Sequence, residues 1–215
     1  MQRPASPAFC FALALVAACT LSLSACQNPG TPQTIKPLID IKQRPDPQRA
    51  YRVVMTIDNV PGPFGMIEGS AQYDVINRNE CGYIDPGTET ISRINTHPPI
   101  DWKPIGEGQY EATVYADLIL DEDYYGRGMC RWKLTAANAL VRATGAETET
   151  RFLPGISAEK IMVGTPLILH FANMRYPRSG MDGFADFGEA EPYKYKPEIR
   201  DQLFTITMTP KDAQP

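Results

Sequence analysis

The sequence predicts a mainly β domain, an antiparallel sandwich or open barrel with long loops and one disulfide. Three observations carry that expectation. Six or seven short segments alternate apolar and polar residues with a period of two. The stretches between them are rich in glycine, proline and aspartate, the residues that turn a chain. No heptad pattern or internal repeat points to a coiled coil or a solenoid.

Met1 and Arg3 place positive charge ahead of an apolar run from Phe9 to Leu23, the layout of a secretory signal. As a helix that run would span about 22 Å, short of the roughly 30 Å hydrocarbon core. A transmembrane helix is therefore the weaker reading. The run closes with Leu23-Ser24-Ala25-Cys26, which resembles the bacterial lipobox. The resemblance implies removal of residues 1–25, acylation of Cys26 and attachment to a lipid bilayer, since two or more acyl chains anchor stably. Gln27 stands where the inner-membrane retention signal known for enterobacterial lipoproteins has Asp. The expected location is thus the cell envelope on its periplasmic side, with the outer membrane favoured over the inner. The alternative is an ordinary signal peptide that leaves Cys26 as a free thiol.

Loss of the signal removes one charged side chain, Arg3, and takes the net charge from −4 to −5. No basic stripe is present, so nucleic acid is not an expected partner. Cys10 and Cys19 leave with the signal and lipid consumes Cys26, which leaves Cys81 and Cys130. In an oxidising compartment a bridge between these two is expected. The alternatives are two separate buried thiols or a zinc site, and neither CxxC spacing nor a nearby histidine supports zinc.

Residues 26–49 hold the lipidated cysteine and a stretch with Pro29, Pro32, Pro37, Pro45 and Pro47. Such a stretch excludes one helix or a central strand and reads as a tether. The body is then a single domain, 50–215. Its first strand is 51–57, with Tyr51, Val53, Met55 and Ile57 on one face. Residues 70–76 alternate around Ala71, Tyr73 and Val75. The clearest alternation is 110–120, followed by 130–143, a turn at 143–146, and a strand over 147–153. Residues 166–172 and 203–209 complete the set. An alternative for the alanine-rich 134–143 is helix by propensity alone, and 157–163 begins like a short helix. Long loops are expected at 78–108 and 174–200.

Catalytic signatures are sparse. His97 lies in Thr96-His97-Pro98-Pro99 and His170 inside the apolar run 167–171, and no GxSxG, HExxH or P-loop pattern accompanies them. Asp121, Glu122 and Asp123 form one acidic group, and Asp182, Asp186, Glu189 and Glu191 dot the second loop. Their spacing does not follow the EF-hand pattern, so solvated loop charge is the simpler reading. No cofactor, metal or catalytic residue is expected.

Tyr124-Tyr125-Gly126-Arg127-Gly128-Met129 joins the strongest strand to Cys130-Arg131-Trp132. Tyrosine and arginine are enriched at interfaces, which makes Tyr124, Tyr125 and Arg127 candidate partner-binding residues. The alternative is that the tyrosines pack on the sheet end and the glycines only allow the turn. With the upstream Asn79-Glu80-Cys81, this stretch resembles periplasmic lipoproteins encoded beside secreted antibacterial effectors, among them immunity proteins against type VI phospholipase effectors. The resemblance covers roughly residues 79–153. It implies a protein-binding module that occludes a periplasmic or secreted toxin. Two other readings stand beside it: an envelope structural or assembly lipoprotein, and a periplasmic hydrolase working through carboxylates.

Overall fold

The computed structural model describes residues 39–211. The signal, Cys26 and the first part of the proline-rich stretch lie outside them. The strands are β1 (Ala50–Asp58), β2 (Met66–Val75), β3 (Asn95–Thr96), β4 (Pro99–Ile100), β5 (Lys103–Gly106) and β6 (Gln109–Tyr115). They continue with β7 (Trp132–Arg142), β8 (Arg151–Phe152), β9 (Gly155–Ser157), β10 (Leu167–Ala172), β11 (Ala185–Asp186) and β12 (Leu203–Lys211). Two short helices, α1 (Arg78–Cys81) and α2 (Ala158–Val163), interrupt them.

Among the described residues the strands form two sheets. The first is antiparallel, in the order β10-β12-β1-β6-β5. The second runs β11-β8-β7-β2-β3, with β4 beside β2 and β9 beside β7. Its β11–β8 pair is parallel. The expected β sandwich is present, with a mixed second sheet.

Alternation explains the core. Val53, Met55 and Ile57 of β1, Ala112 and Val114 of β6, and Phe204, Ile206 and Met208 of β12 all face inward. From the second sheet they meet Ala71 and Tyr73 of β2 and Leu134, Ala137, Ala139 and Val141 of β7. Four phenylalanines interlock across one end: Phe152 sits edge-on to Phe204, Phe171 and Phe64 at 5.2, 5.6 and 5.7 Å between ring centroids. Edge-to-face packing of this kind adds to the gain from area alone.

Several expectations are corrected. The alternation over 110–120 does not make one strand, because β6 stops at Tyr115. The Asp117 carboxylate accepts the amides of Gln48 (3.1 Å) and Arg49 (3.0 Å), and Ala116 donates to the Arg49 carbonyl. These bonds turn the chain out of the sheet to run beside the proline-rich stretch. From Ile39 that stretch lies along the body: Arg44 donates to the Leu118 carbonyl and Leu120 to that of Lys42.

Residues 134–142 are strand, as the 130–143 reading expects, and not the helix that alanine propensity alone allows. Gln72 pairs with Ala136 and Tyr73 with Leu134, so Thr135 is an extra residue on β7. This bulge puts Leu134 and Ala137 inward at a spacing of three, which imitates a helical period in the sequence. The strand expected at 147–153 shrinks to β8, because Glu149 folds back to accept the amides of Thr144 and Gly145 and the Thr144 hydroxyl. The 78–108 loop carries α1, β3, β4 and β5. At 157–163 the short helix forms, with Ser157 accepting the Lys160 amide as its N-cap.

Buried acids tie these irregularities down. Asp74 accepts from Arg93 Nε (2.7 Å), Thr135 Oγ1 (2.6 Å) and Gln72 Nε2 (2.9 Å) at the bulge. Burial alone would raise its pKa, but these donors outweigh it and hold the carboxyl below its ordinary 3.8. Backbone amides do the same for Asp117 and Glu149. A carboxyl whose pKa is lower folded than unfolded contributes stability that is complete above the unfolded value and is lost as pH falls through the folded one. The urea midpoint should therefore be flat from about pH 7 to 5 and drop below about pH 4. Asp74→Asn should lower the neutral midpoint and shrink the acid drop. An unchanged drop in that variant would show that Asp74 does not contribute.

Candidate partner-binding surfaces

Strand ends define two ends of the sandwich. β1 begins, and β2 and β6 finish, at the end where residues 39–49 join the body. β1 finishes, and β2 and β6 begin, at the far end. The segment proposed from sequence lies at the tether end, in a lobe closed by the Cys81–Cys130 disulfide.

The lobe brings Tyr124, Tyr125 and Arg127 together, chiefly for internal use. Tyr124 and Tyr125 are half-buried against Val75, Cys81, Ile94 and Cys130. The Tyr124 hydroxyl donates to the Leu120 carbonyl at 2.8 Å, and its ring meets Trp132 edge-on at 6.1 Å. Arg127 donates to the Gly82 and Asn79 carbonyls at the end of α1. Asp123 accepts the amides of Tyr125 (3.3 Å) and Arg127 (3.0 Å). Desolvation opposes the Asp123 charge, yet these and neighbouring amides keep its pKa low. The lobe turns Ile76 and Met129 outward instead, at 63% and 60% exposure.

The remaining sequence candidates also brace the fold. Asp121 accepts the Trp132 amide, Glu122 pairs with Lys42, and Asp182 pairs with Arg178. Glu189 and Glu191 both reach Lys194. His170 exchanges backbone hydrogen bonds with Glu189, and His97 is exposed between β3 and β4. Among the described residues no group of three or more Asp, Glu, His or Cys side chains is placed to hold a metal.

A second surface was not named from sequence. The 174–200 segment is a strap that runs from β10 to pair as β11 with β8, then returns to β10, and so covers one edge of each sheet. Its backbone is held closely. Arg151 and Leu153 donate to the Phe184 and Asp186 carbonyls, and Thr150 donates to that of Pro177. Asp186, 3% exposed, pairs with Arg175 at 2.8 Å, and the Arg175 guanidinium sits 4.9 Å from the Phe184 ring centroid. The Tyr195 hydroxyl donates to the His170 carbonyl at 2.7 Å, and burial pushes its pKa up to about 12, so it remains a donor. Gly188 adopts φ +70°, and a Cβ there would lie 2.7 Å from the Phe171 ring. Only glycine lets the strap lie this close.

From this braced backbone Met174, Met181, Phe187 and Tyr193 project at 64–70% exposure. A concavity of about 310 Å³ opens among Arg175, Phe184, Phe187, Lys194 and Tyr195. The sequence signal was available: large apolar residues at 174, 181, 187 and 193 follow no strand or helix period in a glycine-rich segment. No protein-family model, curated protein or solved structure matches this chain.

Proposed function

We propose that this chain is a lipoprotein held through acylated Cys26 on the periplasmic side of the envelope, at the outer membrane, and that its body binds another protein. Within that class we favour an immunity protein that occludes a secreted antibacterial effector. The observation that carries the binding reading is the strap, which displays Met174, Met181, Phe187 and Tyr193 from a backbone tied to both sheets. Methionine and aromatic residues are enriched at the centres of interfaces. A surface already ordered before contact avoids much of the entropy lost on binding. The two acidic groups singled out in the sequence, 121–123 and those of the 182–191 stretch, are engaged in ion pairs and turns.

The full chain, cross-linked in its source cells and extracted with detergent, tests this. It should partition with membranes, and Cys26→Ser should move it to the soluble fraction. It should capture one secreted hydrolase and inhibit it. Phe187→Ser with Tyr193→Ser should weaken that capture by about thirtyfold or more, the scale of a lost aromatic anchor. Capture that is indifferent to the strap variant would overturn the surface assignment. Recovery of envelope machinery in place of a hydrolase would replace the immunity reading with the assembly one.

A further inference from the structure

At the far end, the β1–β2 loop and the β5–β6 turn enclose a groove of about 640 Å³. Its apolar lining comes from Val60, Pro63, Phe64 and Tyr110, and its charge from Asp58 and Glu107. Among the described residues neither carboxylate is ion-paired, and no lysine or arginine lines the groove. Asp58 and Glu107 thus give the groove two exposed, unpaired carboxylates beside the rings of Phe64 and Tyr110. The backbone there is well defined: Ile57 donates to the Gly108 carbonyl at 2.8 Å, and Asn59 turns the chain with φ +58°.

We propose that this groove is a second binding site, which accepts the arginine or lysine side chain of a basic segment in a protein partner. Charge complementarity selects a cation, and aromatic rings attract cations through their π faces. A volume within the roughly 300–1,000 Å³ that encloses drug-sized groups suits a short peptide stretch better than a bare ion. The protein-binding reading selects a protein segment over a lipid headgroup. The seven residues of β6 put the groove about 20 Å from the end where residues 39–49 join the body. The proposal thus rests on the protein-binding reading, while its chemistry is tested apart from it.

The test titrates the ¹⁵N-labelled full chain in detergent with an acetylated alanine–arginine–alanine amide, its citrulline counterpart, and choline chloride. The arginine peptide should shift the amide resonances of 57–64 and 107–110. Asp58→Asn and Glu107→Gln should each weaken it by about threefold, the scale of an exposed charge pair, with unchanged urea midpoints. Equal binding of the citrulline peptide, or shifts confined to other residues, would overturn the proposal. Equal shifts with choline would overturn the protein assignment in favour of a small cation or lipid headgroup. This assay involves neither the strap nor a captured protein, so its failure and a failure of the capture experiment remain distinguishable.

Discussion

Cys81→Ala lowers the free energy of unfolding by about 4 kcal/mol, and adding Cys130→Ala costs nothing further. The bridge spans 49 residues, and a closed loop of that length removes this much entropy from the unfolded chain. The lobe's own apolar cluster is small: among the described residues its buried members are Val75, Ile94 and the two cysteines. Loss of the bridge should therefore appear first as faster amide exchange over 82–92 and 123–129, before the sandwich opens. Urea denaturation of both single variants and the double variant measures the effect. Additive losses would mean that the cysteines stabilise independently.

The second large effect concerns the strap. Arg175→Met should destabilise by about 3 kcal/mol or more, because it leaves the Asp186 carboxylate buried without its cation. The same change removes the guanidinium from the Phe184 ring. Arg175→Met with Asp186→Leu should regain most of the loss, since replacing both charges removes the desolvation cost together with the attraction. If the double variant is as unstable as Arg175→Met, the stranded charge is not the cause. Partner capture should follow the same order, because Met174 and Phe187 flank the pair in sequence.

Much of the fold was legible wherever a strand is regular and one face is buried. The readings 51–57, 166–172 and 203–209 correspond to β1, β10 and β12 within about two residues. Legibility failed where a distant residue intervenes. Nothing near Tyr115 says that β6 ends there. The decision lies with the Asp117 carboxylate and the amides of Gln48 and Arg49, 69 and 68 positions away. Thr135 as a bulge is equally silent, since its register depends on β2 and its hydroxyl on Asp74. The candidate segment was placed correctly beside the disulfide. The employment of its side chains was not legible, because Arg127 finds its acceptors 45 and 48 residues upstream.

The sequence by itself determined the β class, since alternation is a local property of the backbone pleat, and it predicted the Cys81–Cys130 disulfide that the structure contains. Tertiary structure alone decided which side chains are available to a partner. Tyr124 and Arg127 read as interface residues yet brace a lobe. Phe187 and Tyr193, in a segment expected only as a long loop, are exposed on a braced strap, and Asp58 and Glu107 line one groove only because two turns converge at one end of the sandwich. Exposure depends on everything else that packs nearby, and no single stretch of sequence carries that information.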